Sequence, residues 1–128
     1  MSETESIYRR YIRCLNDRRI DGLGDFVHEE LTYNGRPMTR LDYQTLLSND
    51  VAAIPDLHYD IQTLVVDQDQ VACRLRFDCT PQGEFLGLKP NGKRVSFTEH
   101  VFYKLRDGKI HEVWSLIDRP AIERQLAP

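Results

Sequence analysis

The sequence has few cysteines and no long apolar run. Its three cysteines, Cys14, Cys73 and Cys79, are an odd number with no close pairing, which predicts neither a disulfide framework nor a zinc ribbon. No segment approaches the roughly 20 apolar residues of a membrane-spanning helix, and the charged N-terminus lacks the apolar stretch of a signal peptide. We therefore expect reduced cysteines, no membrane association and a cytoplasmic location.

An excess of positive charge is also lacking. The 17 Lys and Arg against 20 Asp and Glu leave a formal net charge of −3, whereas nucleic acids and anionic membranes are bound through a concentrated positive field. We therefore expect no nucleic-acid partner. With 128 residues, of which 41% are hydrophobic, the chain has the size and balance of a single globular domain spanning residues 1–128.

Local motifs of metal, nucleotide and serine-nucleophile sites are absent as well. The four histidines are not spaced as metal ligands, and no H-x-x-x-H, C-x-x-C, G-x-S-x-G or phosphate-loop pattern occurs. The residues themselves therefore give no support to a metal site.

Hydrophobic periodicity changes along the chain from helical to β-like. Helical spacing predicts helices over 3–17 and from Thr39 to Pro55, with a short helix near 23–27 between them. Runs rich in β-branched and aromatic residues then predict four strands, at about 57–67, 70–80, 94–106 and 109–118, before a last short helix at about 119–126. Helices followed by strands predict an α+β fold, with helices on one face of an antiparallel sheet.

The turns set side-chain directions in the two hairpins, because side chains alternate along a strand. With Gln68-Asp69 as the first turn, one face of that hairpin is apolar with a polar end, and includes His58, Gln62 and Phe77. With Asp107-Gly108 as the second turn, one face of that hairpin carries most of the candidate pocket residues: Phe97, Glu99, Trp114, Leu116 and Asp118. A single bulge would invert these assignments beyond it.

Asp118 and Glu99 are the candidate acid–base pair. If Asp118 lies at the edge of an aromatic pocket beside Trp114, desolvation raises the pKa of its carboxyl into the range that general acid–base catalysis requires. Glu99, on the same predicted face, is placed to share a proton with it. Each has a structural alternative: Asp118 before Arg119-Pro120 suits the cap of the last helix, Glu99 an ion pair and Trp114 a packed core position.

Two further features have a functional and a structural interpretation. His58, with Gln62 on its predicted face, is either a pocket residue or a structural histidine. Residues 83–95 are either a solvated loop or a lid in which Phe85 folds over the mouth of a pocket, with glycines permitting the bend.

Three segments together resemble the SnoaL-type polyketide cyclase family, within the fold group of nuclear transport factor 2 and ketosteroid isomerase. They are the hairpin IPDLHYDIQTLVVDQDQVACRLRF at 54–77, the pattern T-x-x-G-x-F-x-G-x-x-P-x-G-K from Thr80 to Lys93, and DGKIHEVWSLID at 107–118. The resemblance implies a cone-shaped α+β barrel, with N-terminal helices packed on a strongly curved antiparallel sheet around an internal pocket. It also implies a homodimer formed through the sheet face. The mixed charged and apolar outer face of the first hairpin suits either solvent or such a subunit contact.

The resemblance also implies an activity. Characterised cyclases of this family close a ring by an intramolecular aldol reaction, without metal or cofactor, using an aspartate in the segment that matches Glu112 to Asp118 here. Carried over, Asp118 exchanges a proton with an apolar ketone or ester. Two positions depart from the family pattern: Pro81 stands where many members have His, and Asn91 where many have Thr. If the family His polarises the substrate, His58 is the first candidate to replace it.

The leading expectation is thus a small cofactor-independent cyclase or isomerase, with Asp118 as acid–base. The alternative is a non-catalytic small-molecule-binding or accessory protein on the same scaffold. A third and weaker hypothesis is an interaction module that binds another protein through the outer face of the sheet.

Overall fold

The computed structural model describes all 128 residues and begins with an amphipathic helix. This helix, α1, spans Glu3–Asn16, and the Ser2 hydroxyl caps it by accepting a hydrogen bond from the Glu5 amide at 3.1 Å. Its apolar side is buried, as the helical spacing predicts. A 3₁₀ helix, Ile20–Asp25, follows it.

The second helix, α2, spans Arg40–Ala53 and begins with a reciprocal capping box. The Thr39 hydroxyl accepts from the Asp42 amide at 3.1 Å, and the Asp42 carboxylate accepts from the Thr39 amide at 3.2 Å. This helix confirms the prediction from Thr39 onward. A short C-terminal helix, α3, spans Arg119–Leu126, also as predicted.

Six strands form one sheet in the order β2-β1-β6-β5-β4-β3. Their bounds are Val27–Tyr33 (β1), Arg36–Thr39 (β2), Asp60–Asp67 (β3), Gln70–Cys79 (β4), Val95–Arg106 (β5) and Lys109–Ile117 (β6). Neighbouring strands are antiparallel except for β1 and β6, which are parallel. The fold is α+β, with helices against a curled, mostly antiparallel sheet, as predicted.

The first two strands were not predicted from the sequence, and the short helix near 23–27 was predicted too far along the chain. The chain is 3₁₀-helical only to Asp25, and Val27 already belongs to β1. The β1–β2 turn is Asn34-Gly35, and both residues have positive φ, of 50° and 81°. Asn-Gly is a strong signal for such a two-residue hairpin turn.

A bulge in β6 reverses the side-chain directions that were predicted for the rest of that strand. Both ends of the predicted turn at 107–108 are confirmed, since Arg106 pairs with Lys109. Leu105 then pairs with Ile110 but Lys104 with Glu112, so the strand contains one extra residue. Beyond that point the inward positions are Val113, Ser115 and Ile117, while Trp114 and Leu116 face outward, 47% and 75% exposed.

A second bulge, in β3, has the same consequence. The predicted turn at 68–69 is confirmed. Leu64 and Val66, which pair with residues of β4, face the core. The register shifts between Ile61 and Thr63, so the faces invert before Thr63. His58 and Gln62 are therefore exposed, and Tyr59 is buried in their place.

The hydrophobic core lies between the helices and the inner face of the sheet. Aromatic rings fill its centre: Tyr8 lies 5.0 Å from Tyr103, and Tyr11 5.8 Å from Tyr103, between ring centroids. No helix of the chain is both long and apolar enough to cross a membrane. The packing of α1 and α2 on the sheet leaves a small, mostly apolar cavity near the C-terminal half of α2.

Candidate active site

The internal cavity lies where α1 and α2 cover the inner face of the sheet. Its volume is about 40 Å³, and ten of its twelve lining residues are hydrophobic. The other two are Asp50 and Glu99, and no lysine, arginine or histidine lines the cavity. Five tyrosines surround the two acids: Tyr11, Tyr33, Tyr43, Tyr59 and Tyr103. The cavity therefore holds two carboxyl groups without a cationic partner.

Glu99 projects from β5 and is held by a serine of the neighbouring strand. Its Oε2 accepts a hydrogen bond from the Ser115 hydroxyl. Ser115 faces inward only because of the bulge in β6. Burial raises the pKa of the Glu99 carboxyl, and the hydrogen bond from Ser115 opposes this rise without cancelling it.

Asp50 projects from the last turn of α2, and sequence reasoning missed it. Its carboxyl is half-buried and forms no hydrogen bond or ion pair. Burial, and then the charge of Glu99, raise its pKa to about 7. The available signal was its spacing, because Tyr43, Leu47 and Asp50 lie at i, i+4 and i+7 on one side of α2. A carboxylate in the apolar stripe of a helix is unusual enough to mark a functional position.

The phenols around the acids stay protonated. The hydroxyls of Tyr11 and Tyr43 form a hydrogen bond of 2.6 Å, and burial raises the pKa of both. Burial also raises the pKa of Tyr59, with a further contribution from the charge of Asp50. The cavity is thus lined by neutral phenols beside two acids.

This arrangement suits proton transfer near neutral pH. Burial raises the pKa of both carboxyls, and the charge of Glu99 raises the pKa of Asp50 further, so the two groups titrate as a coupled pair. One member can then accept a proton while the other donates one. No group of three or more His, Cys, Asp or Glu side chains is placed to hold a metal ion.

Asp118 does not join Glu99. It is exposed and caps α3, with Oδ1 accepting a hydrogen bond from the Ala121 amide at 3.2 Å. Its own amide donates to the Thr98 carbonyl at 2.9 Å. Asp118 thus caps the last helix, which was the structural alternative predicted for it. The predicted placement beside Glu99 is wrong because of the register shift in β6. Its predicted acid–base role remains a prediction.

The other predicted residues divide between the surface and a second aromatic cluster. His58, Gln62, Trp114 and Leu116 are exposed, so their predicted inward placement is wrong, and the two bulges are the reason. The Gln62 side chain instead accepts a hydrogen bond from the Arg74 guanidinium at 2.7 Å.

Phe77, Phe97 and Phe85 are inside the protein, but they do not line the cavity. Together with Tyr59, their rings form a row. The ring centroids are 5.3 Å apart between Tyr59 and Phe77, 5.0 Å between Phe77 and Phe97, and 6.0 Å between Phe97 and Phe85. The loop that carries Phe85 is bound to the end of α2, where the Ala53 carbonyl accepts from two of its amides. The aromatic cluster therefore forms a wall behind Tyr59.

Comparisons with known proteins agree with this architecture. A family model described as SnoaL-like polyketide cyclase matches residues 5–126. A SnoaL-like polyketide cyclase structure from Agrobacterium tumefaciens is 46% identical, with a TM-score of 0.93, over 99% of this chain and 100% of that one. No curated protein matches the chain.

Two Streptomyces structures are more distant. AclR from Streptomyces galilaeus, a proposed hydroxylase, is 25% identical with a TM-score of 0.82, over 100% of this chain and 99% of that one. IdmH from Streptomyces antibioticus, a proposed polyketide cyclase, shares the fold at 22% identity with a TM-score of 0.85, over 98% of this chain and 99% of that one.

Proposed function

This chain belongs to the SnoaL-like polyketide cyclase family, and we propose that it is a cofactor-independent cyclase or isomerase in which Asp50 and Glu99 transfer the proton. The observation that carries the proposal is a pair of carboxyls without a cationic partner, both with raised pKa, in one largely apolar cavity. Such groups destabilise a folded protein, and proteins keep them mainly at functional sites.

A hydrogen bond holds the Glu99 carboxyl but not the Asp50 carboxyl, and this difference supports separate roles. Asp50 has no hydrogen-bond partner, and its pKa of about 7 is matched to abstraction of a proton at neutral pH. In the proposed reaction its carboxylate removes a proton from the carbon next to a carbonyl, and the C–H electron pair becomes that of an enolate. In a cyclase the enolate carbon attacks a second carbonyl, and the resulting alkoxide takes the proton back from the acid pair. The Ser115 hydroxyl holds Oε2 of Glu99, which leaves Oε1 available for this exchange.

The cavity lining supports a neutral substrate. Its walls are apolar or phenolic, and the acid pair already carries negative charge near pH 7. An anionic group would be repelled, and no cationic side chain is present to offset the repulsion. We therefore propose an apolar ketone or ester as the substrate, with its carbonyl end in the cavity.

The volume of the cavity favours a second candidate function. About 40 Å³ is much less than the roughly 300–1,000 Å³ of ordinary small-molecule pockets, so only the reacting end of a substrate fits unless side chains move. A non-catalytic accessory protein would need no larger space. The unpaired acids favour the enzyme over this alternative.

A carbon-acid probe tests the proposal without knowledge of the natural substrate. We expect the wild-type protein to accelerate exchange of the α-protons of cyclopentanone in D₂O, followed by proton NMR. Asp50→Asn and Glu99→Gln should each lower the rate by about 10²–10⁴-fold. Asp118→Asn, at the exposed cap, is the matched control and should exchange as fast as wild type. If wild type is no faster than Asp50→Asn, the acid–base proposal fails and the binding alternative gains support.

We also propose that the chain forms a homodimer through the outer face of the sheet. Apolar side chains line up across this face: Val65, Phe102 and Trp114 lie on one row of paired residues, through Ala72, and are 59%, 59% and 47% exposed. Leu116 follows in the next row at 75% exposed. An exposed apolar patch of this kind suits a second copy of the same surface.

A further inference from the structure

Tyr59 is a cavity tyrosine whose hydroxyl, unlike those of Tyr11 and Tyr43, forms no hydrogen bond. The hydroxyls of Tyr11 and Tyr43 form a hydrogen bond with each other at 2.6 Å. Tyr59 is only 7% exposed, lines the cavity and makes no hydrogen bond through its hydroxyl. The Tyr59 hydroxyl therefore has a hydrogen-bond donor that no side chain of the protein uses.

The Tyr59 hydroxyl is protonated and can donate a hydrogen bond. Burial, followed by the negative charge of Asp50, raises the pKa of Tyr59. At any pH where the protein functions, the hydroxyl therefore keeps its proton. A neutral donor beside a carboxylate, with no acceptor of its own, is suited to an oxygen atom that a ligand brings into the cavity.

The backbone of Tyr59 is held from both sides by one residue. Asn16, the last residue of α1, accepts from the Tyr59 amide through Oδ1 at 2.7 Å and donates to the Tyr59 carbonyl through Nδ2 at 3.0 Å. Tyr59 precedes β3, so no strand partner supplies these bonds. The ring edge packs on Phe77 at 5.3 Å. The donor is therefore positioned before any ligand binds, which is the condition for stabilising charge that develops during a reaction.

From this geometry we infer that Tyr59 is a catalytic hydrogen-bond donor to the substrate carbonyl oxygen, and that Asn16 is its positioning residue. This inference rests on the proposed function. As Asp50 takes the proton from the α-carbon, the carbonyl oxygen gains the negative charge of the enolate. The Tyr59 hydroxyl donates a hydrogen bond to that oxygen and keeps its proton, so no bond of Tyr59 is made or broken.

The test is Tyr59→Phe in the cyclopentanone exchange assay. We expect kcat to fall about 10²–10³-fold, as for loss of one oxyanion donor, with KM changed less than threefold. The matched control is Tyr8→Phe, because Tyr8 is also a fully buried tyrosine whose hydroxyl has no partner, but it lies outside the cavity. Tyr8→Phe should exchange at the wild-type rate.

Asn16 is tested through its dependence on Tyr59. Asn16→Asp keeps the acceptor for the Tyr59 amide and loses the donor to its carbonyl, so kcat should fall less than in Tyr59→Phe. The double variant Asn16→Asp, Tyr59→Phe should be no slower than Tyr59→Phe alone, since a positioning residue acts only through the group it positions. Additive losses would overturn the positioning role.

A turnover-independent measurement separates this inference from the proposed function. The infrared carbonyl stretch of bound cyclopentanone should lie at lower frequency in wild type and Tyr8→Phe than in Tyr59→Phe. If Asp50→Asn abolishes exchange but Tyr59→Phe matches wild type in both rate and stretch, the Tyr59 inference is wrong and the proposed function stands. If exchange is absent but the shift depends on Tyr59, the donor role holds and the acid–base proposal fails.

Discussion

Replacing Asp50 by asparagine should stabilise the protein and remove its activity together. The substitution keeps the shape of the side chain and removes a carboxylate that has no hydrogen bond or ion pair in the cavity. A residue that costs stability and cannot be replaced without loss of turnover has the signature of a functional group. The size of the gain follows from its pKa.

The pKa of Asp50 is about 7 in the folded chain, against an ordinary value of 3.8. At 1.36 kcal/mol per pKa unit, this difference corresponds to about 4 kcal/mol. The sign follows from proton binding: between pH 3.8 and 7 the folded chain holds the proton and the unfolded chain does not, so stability falls as the pH rises. The loss is absent below pH 3.8 and complete above pH 7. Because Glu99 contributes to the rise and Asp50 is only half-buried, we expect about 2–4 kcal/mol at pH 8.

Urea unfolding between pH 5 and pH 8 measures the effect. Over this interval wild type should lose about 2–3 kcal/mol of unfolding free energy more than Asp50→Asn. Asp60→Asn is the control, because Asp60 is an exposed aspartate outside the cavity, and its curve should run parallel to that of wild type. Parallel curves for Asp50→Asn and wild type would refute the reasoning, since they would mean that Asp50 is solvated like a surface residue.

Three other predictions follow from the same structure. Ser115→Ala removes the hydrogen bond to Glu99 and should raise the pKa of that carboxyl further, which carbon-13 NMR of the labelled carboxyl detects; an unchanged titration would contradict the contact. Leu116→Glu should convert the proposed dimer to monomer in size-exclusion light scattering, whereas Leu41→Glu, at an equally exposed leucine on α2, should not; a monomeric wild type would end the dimer proposal. Asp118→Ala should lower unfolding stability by about 0.5–2 kcal/mol through loss of the helix cap, with exchange of cyclopentanone unchanged; a large rate loss would restore its predicted catalytic role.

The elements with local signals agree with the sequence prediction. Both long helices begin at the residues that cap them, Ser2 and Thr39, because the capping side chain and the amide it binds are three residues apart in the sequence. The four strands from β3 onward and both of their turns also match to within a few residues. These features depend on neighbours in the chain, so the sequence contains what determines them.

The β1–β2 hairpin was predictable only in part. Its Asn34-Gly35 turn is a recognisable local signal, but β1 buries only Val27 and Leu31 completely, and they do not alternate in a simple pattern. The strand is stabilised by parallel pairing with β6, about eighty residues away in the chain. Such pairing leaves little trace in local periodicity.

The bulges account for most of the errors at the site. Neither His111 nor Gln62 is a residue type that marks an interrupted strand, yet the register shifts beside each of them. One extra residue turns every following side chain to the other face. The outward turn of Trp114 and the inward turn of Ser115 are consequences of this shift.

Local sequence patterns account for the α+β class, the helices with their caps and the four later strands. They also place Glu99 inward, because β5 continues from its turn without a bulge on its own strand. The second acid of the cavity depends instead on how distant parts of the chain pack. Asp50 lies 49 residues earlier in the chain, on a helix whose placement over the sheet depends on packing across the whole core. Its raised pKa likewise depends on burial and on the charge of Glu99, which exist only once the chain has folded.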